Sequence, residues 1–254
     1  MGGTAERIGA ALRRGDFVKD RDFDRLLSAG LRGKSPSFFS SVVVAQTAAR
    51  WLSDAGRTRV LDVGAGVGKF CAVAALTTGR PYVGLEQRGT LVAEGRKLVA
   101  ALAAEVQLVE GGLADVEPSS FDGFYFYNPF AEHIADKYER IDDTLECSAD
   151  DYLRDARTVE RWLRAAPAGT AMVTYNGLGG RIPLSWRCER ELKLAGNMLR
   201  LWVKQPGAEA SADAYIEVED RLLPASVLAE LVRRSPRVSI EDGLVARLVL
   251  PEDP

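Results

Sequence analysis

The sequence predicts an α/β fold, a doubly wound and mostly parallel seven-stranded sheet with helices on both faces. Three observations carry that expectation. Residues 60–78 run from an apolar strand through a glycine turn into a helix. Strand and helix patterns then alternate as far as residue 177. Beyond them, strand patterns at about 187–194 and 199–203 flank Ala195-Gly196-Asn197, which is a hairpin signal.

Before the glycine turn, residues 5–32 place Ile8, Leu12, Phe23, Leu26, Leu27 and Leu31 among many charges, the spacing of one or two short amphipathic helices over the sheet or the mouth of a site. Ser35-Pro36-Ser37-Phe38-Phe39 reads as a loop with Ser37 as N-cap of a helix from Val42 to Leu52. Phe38 and Phe39 either anchor that helix or touch a ligand.

The strand Val60-Leu61-Asp62-Val63 leads into Gly64-Ala65-Gly66-Val67-Gly68, where backbone can approach a ligand without Cβ clashes. The dinucleotide spacing G-x-G-x-x-G would require glycine at Lys69, and no phosphate-cradling G-x-x-x-x-G-K-[ST] is present. The stretch Pro81 to Arg88 holds a second short strand, which ends in an acid, Glu86, whose two acceptor oxygens suit a vicinal diol. Residues 90–104 have helical period, and Val106 to Glu110 form a third strand followed by Gly111-Gly112-Leu113-Ala114-Asp115.

The D-x-G-x-G-x-G turn resembles motif I of the class I S-adenosylmethionine (SAM) dependent methyltransferases, and the acid of Glu86 fits the same pattern. The resemblance covers residues 36–204. It implies a Rossmann-like SAM-binding domain there, with a helical extension at 1–35 and a C-terminal extension at 205–254. It further implies that Asp62, Gly64, Ala65, Gly66 and Gly68 hold the methionine and ribose region, that Glu86 holds the ribose hydroxyls, and that Gln87 and Asn128 also border the cofactor. The family usually carries an Asp after the third strand for the adenine amino group. Here Gly112 stands in that place, so either Asp115 reaches in or the backbone around Gly112 and Leu113 serves.

Six of the ten residues from Phe121 to Phe130 are aromatic, and the run ends in Asn128-Pro129-Phe130. That ending resembles motif IV of amino-methyltransferases, [DNS]-P-P-[YFW], with the second proline missing. The resemblance makes Asn128, Pro129 and Phe130 the candidates to orient an acceptor nitrogen. The residues alone also fit a strand-ending turn. His133, the one histidine in the chain, reads as a loop residue or, less readily, a general base.

From Glu132 to Glu160 the chain is markedly acidic, with a helix from about Ala149 to Leu163 capped by Ser148 and Asp151. A negative rim next to the substrate motif would repel phosphate backbones and favour a protein or small-molecule acceptor over nucleic acid. Gly169 to Gly177 reads as the fifth strand. In the tail, Ala225–Arg233 suits a helix and Leu244–Leu250 a strand.

Composition bounds the rest. A net charge of −3 over 254 residues gives no global pull toward nucleic acid. Cys71, Cys147 and Cys188 form no C-x-x-C pair, and with one histidine a metal centre is not expected. No leader or membrane span is evident, so the expectation is a cytoplasmic protein of unspecified oligomeric state. Methyl transfer is the leading function. A non-catalytic SAM- or nucleoside-binding module acting through a partner, or an aminopropyltransferase-like enzyme, are the alternatives.

Overall fold

The computed structural model describes residues 3–207 and the backbone of short strands at 215–216, 239–241 and 244–247. The predicted helix at 225–233 lies outside the described residues, and the predicted 244–250 strand is described over Leu244–Arg247.

Seven strands form one sheet: β1 (Val60–Val63), β2 (Tyr82–Glu86), β3 (Val106–Glu110), β4 (Gly123–Phe126), β5 (Ala171–Tyr175), β6 (Trp186–Leu194) and β7 (Asn197–Lys204). Their spatial order is β3-β2-β1-β4-β5-β7-β6. β1 to β5 are parallel, and β7 inserts antiparallel between β5 and β6. The chain order therefore reverses at β1 and β4, where an open parallel sheet has its ligand crevice. Central β1 is buried along its whole length, as the apolar Val60, Leu61 and Val63 predict.

One face of the sheet is covered by α1 (Thr4–Arg13), α4 (Val42–Asp54), α5 (Lys69–Thr78) and α6 (Gly89–Leu102), with core residues such as Leu12, Ala45, Val73 and Leu98 packed against Val60, Tyr82 and Val173. The other face buries Leu61, Val63, Phe124, Phe126 and Met172 under α7 (Ala149–Ala165) and the chain around Ile134. Helices lie on both faces, but α7 is the one long helix described on the second. The connections between β3 and β4, and between β5 and β6, carry no α-helix. Ser148 caps α7 by accepting the Asp151 N–H at 3.1 Å, as predicted.

The N-terminal segment departs from expectation. Residues 35–38 belong to helix α3 (Ala29–Phe38), which runs through Pro36, and Ser41, not Ser37, caps α4 by accepting the Val44 N–H. The cause is tertiary. Lys69, 1% exposed at the start of α5, donates to Asp20, Asp24 and Ser35 at 2.8, 2.7 and 3.1 Å. Asp20 lies in the short helix α2 (Asp20–Phe23) and also accepts the Val42 N–H at 2.8 Å, so one buried ammonium fixes α2, α3 and the entry to α4. On α4 the fully buried positions include Val42, Ala45, Ala48 and Leu52, while Val43 and Trp51 are only half-buried. No helix among the described residues is long and apolar enough to cross a membrane.

Candidate functional site

Glu86, the last residue of β2, joins the strand to the glycine turn. Its Oε2 accepts the Gly66 N–H and its Oε1 the Arg88 N–H, each at 2.9 Å. Burial pushes this carboxyl above its usual range, opposed by those two N–H groups and by the Arg88 charge. Each oxygen keeps a second lone pair for a ligand.

The turn is left-handed at its glycines, and two of them border the site. Gly64 has φ 75° and Gly66 φ 56°. A Cβ on Gly64 would lie 2.8 Å from Cβ of Pro129, and one on Gly66 would lie 3.0 Å from the Phe39 ring. The strand-end segment Asn128-Pro129 is thus seated on the glycine turn, with Phe39 at its other side.

Two joined compartments open from this point. The larger, of ≈ 290 Å³, is lined by Phe38 and Phe39 of the N-terminal segment, Gly64 and Gly66, Glu86, Tyr127, Asn128, Pro129, Ile141 and Asn176. The smaller, of ≈ 50 Å³, lies between the ends of β2 and β3 and the segment after β4, bounded by Leu85, Gln87, Gly112, Leu113, Phe130, His133 and Cys147. Gly64, Glu86, Arg88, Pro129 and Glu132 border both.

Asn128 is 8% exposed and left-handed at φ 42°, a backbone state asparagine tolerates better than most residues. Its N–H donates to the Gly177 carbonyl at 3.1 Å, and its carbonyl accepts from Ala131 at 3.3 Å. The backbone is therefore occupied by the turn, and the side-chain amide is the group available to the larger compartment. Asn176, at the end of neighbouring β5, is also left-handed at φ 55° and lines the same space.

Several candidates stand elsewhere than at the larger compartment. Phe130 is buried beside Leu178 in the second-face core and borders only the smaller compartment. Aromatic walls for the larger one come from Phe38, Phe39 and Tyr127. Asp62, Ala65 and Gly68 line neither space. Asp62 is buried beneath the turn, accepts from Cys71 Sγ at 3.4 Å, and has its pKa pushed up to about 7, chiefly by burial, with the Cys71 bond opposing and the Glu86 charge adding. Asp115 stays exposed, where its carboxylate caps the Gly112 N–H at 2.8 Å, so at this corner backbone and Leu113 form the wall.

Arg88 is a residue that sequence reasoning passed over, although it stands two places after the strand-end acid. It pairs with Glu132 and, at 2.9 Å, with Asp142, and lies 3.9 Å from Glu86. Burial acts to lower its pKa, but the carboxylates outweigh it and raise the value. Arg88 thereby holds the 131–142 segment over the crevice, aided by Lys34, which donates to the Ile141 carbonyl. His133 is not a solvated loop residue: its Nε2 lies 3.2 Å from Asp155 Oδ2 and both side chains are nearly buried. Among the described residues no three His, Cys, Asp or Glu side chains are grouped to hold a metal.

No protein-family model and no curated protein matches the sequence. Solved structures do match the fold. The O-methyltransferase from Bacillus cereus in complex with SAH aligns at TM-score 0.50 and 13% identity, over 79% of this chain and 99% of that one. A candidate O-methyltransferase from Klebsiella pneumoniae aligns at TM-score 0.50 and 16% identity, over 79% and 97%. An RNA methyltransferase from Salinibacter ruber in complex with S-adenosyl-L-homocysteine aligns at TM-score 0.44 and 19% identity, over 70% and 96%. The chain has the class I methyltransferase fold.

The expectation of a protein or small-molecule acceptor in preference to nucleic acid is corrected. The acidic segment that prompted it is no bare negative rim. Glu132 and Asp142 face Arg88, Asp151 and Asp155 face Arg154, and Glu160 faces Arg164 and Arg181. Five of the ten carboxylates between Glu132 and Glu160 thus face an arginine within the fold.

Proposed function

We propose that this chain is an S-adenosylmethionine-dependent methyltransferase acting on a nitrogen of its acceptor. The observation that carries the reading is the Glu86–Gly66 bond at the switch point of the sheet, with a ≈ 290 Å³ cavity opening directly above both residues. The residues present fit such a cofactor. The Gly64–Gly66 backbone forms a cradle that a Cβ would fill, and Glu86 offers paired acceptors beside it. Gly64 and Gly66 would hold the methionine end, Glu86 the ribose hydroxyls, and Gln87, Gly112 and Leu113 the base. Asp62, Ala65 and Gly68 would support the turn from beneath. When bound, S-adenosylmethionine supplies a methyl group on a sulfonium, and the enzyme's task is chiefly proximity and alignment.

Asn128 is the residue we place against the acceptor. Its amide oxygen can accept an N–H and so direct the nitrogen lone pair, while Pro129 fixes the chain across the glycine turn. Phe38, Phe39 and Tyr127 provide apolar faces that keep bulk water from the reacting atoms. The domain limits follow: residues 36–204 form the cofactor-binding unit, preceded by an N-terminal helical extension whose α1 packs on α5 and α6. The test is calorimetric titration of the full chain with S-adenosylhomocysteine, followed by transfer of a labelled methyl group from S-adenosylmethionine into cell-extract fractions. Binding with transfer into at least one fraction supports the enzyme, and binding without transfer to any would make the chain a binding module.

A further inference from the structure

His133 and Asp155 form a buried pair that the proposed chemistry leaves unused. Asp155 projects from the buried side of α7, 5% exposed, and its Oδ1 accepts from Arg154 Nε at 3.1 Å while its Oδ2 faces His133 Nε2 at 3.2 Å. A carboxylate only accepts, so the imidazole proton belongs on Nε2 and the lone pair on Nδ1. That Nδ1 is buried with no hydrogen-bond partner among the described residues. A buried acceptor without a donor is costly, which makes it a sign of a missing partner.

The imidazole belongs to the wall of the smaller compartment, opposite Gly112 and Leu113. That compartment is tight for a purine. Its base-side walls are strand ends, whereas His133 and Cys147 come from one segment between β4 and α7, and contact between Nδ1 and a base there requires that segment to shift.

We infer that His133 is the residue that reads the nucleobase, its Nδ1 accepting a hydrogen from the exocyclic amine of adenine, with Asp155 as the positioning residue that sets the ring tautomer. This rests on the cofactor reading above and supplies the acceptor that the chain lacks after β3, where Gly112 stands and Asp115 is turned to its own backbone.

The test compares S-adenosylhomocysteine with S-inosylhomocysteine, in which an oxo group replaces the amine, by calorimetry on the full chain. Wild type should prefer the adenosyl compound by at least tenfold. His133→Phe keeps a ring but no acceptor and should bind the two alike, whereas His133→Asn, whose amide oxygen can take the place of Nδ1, should keep the preference. In Asp155→Asn the carbonyl oxygen can still accept from Arg154, leaving the amide nitrogen to donate to Nε2. The ring proton then moves to Nδ1, and the preference should vanish or reverse toward the inosyl compound. An unchanged preference in folded His133→Phe or in Asp155→Asn overturns the assignment while leaving the cofactor reading intact. Failure of wild type to bind either compound overturns the cofactor reading itself.

Discussion

Lys69 Nζ and Asp24 Oδ1 form a buried ion pair at 2.7 Å directly behind the glycine turn. Asp24 is 5% exposed and Lys69 1%, so neither charge has water to fall back on. Lys69→Met would strand the Asp24 carboxylate, and a loss of about 3–5 kcal/mol is expected. Urea unfolding of the variant measures it. Because α3 ends at Phe38 and leads directly into Phe39, the same variant should also weaken binding of S-adenosylhomocysteine, and a loss of stability below 1 kcal/mol would refute the clamp.

Glu86→Ala removes the acceptor shared by the turn and the proposed ribose, and binding of S-adenosylhomocysteine should weaken by about 1.5–3 kcal/mol. Glu86→Gln is the sharper case. One of its two terminal atoms becomes a donor facing either the Gly66 or the Arg88 N–H. Stability should fall along with affinity, and a Gln variant matching wild type in both would remove Glu86 from the site.

Asn128 has a conformational and a chemical role that two substitutions separate. Asn128→Gly accepts φ 42° without strain, whereas Asn128→Ala should lose about 1 kcal/mol more of stability. Methyl transfer should drop in both by at least tenfold, with affinity for S-adenosylhomocysteine little changed. Restored transfer in the glycine variant would mean that the amide does no chemistry.

Asp62 makes stability depend on pH. Its folded pKa of about 7 exceeds the usual 3.8, so between those values the folded state holds a proton that the unfolded chain has released. Stability from this group is therefore full below about pH 4 and is lost as pH rises to about 7, by a few kcal/mol in order of magnitude. Asp62→Asn should flatten that part of the curve, read as urea midpoints from pH 4 to 8. Parallel curves for the two proteins would sink the assignment.

The five parallel strands were legible because each is a short apolar run closed by turn residues, and the Gly64–Gly68 turn because its spacing excludes the phosphate-binding alternatives. The terminal hairpin was legible from Ala195-Gly196-Asn197. Ser35–Phe38 misread as loop because Pro36 is a local signal, whereas the bond from Lys69 to Ser35 spans 34 residues of sequence and overrides it. Phe130 was placed toward an acceptor because motif order does not fix which way a ring turns after a left-handed residue. Arg88, Asn176 and the burial of His133 all depend on partners from distant segments, and local patterns carry no trace of those. The acidic run after Asn128 likewise shows its charge in sequence but not its arginine partners.

The placement of β7 between β5 and β6 bears on how the chain is made. Until residue 204 has left the ribosome, β5 has β4 on one side and an open edge on the other, although its burial is complete in the finished sheet. That edge displays Met172 and Val173, an apolar template for another nascent chain. The hairpin that closes it folds locally around Ala195-Gly196, so closure can follow synthesis at once. Its outer strand, β6, then presents the new edge, with Arg187, Glu189, Arg190, Glu191 and Lys193 exposed along it. The last strands of this sheet to be made exchange a sticky margin for a charged one.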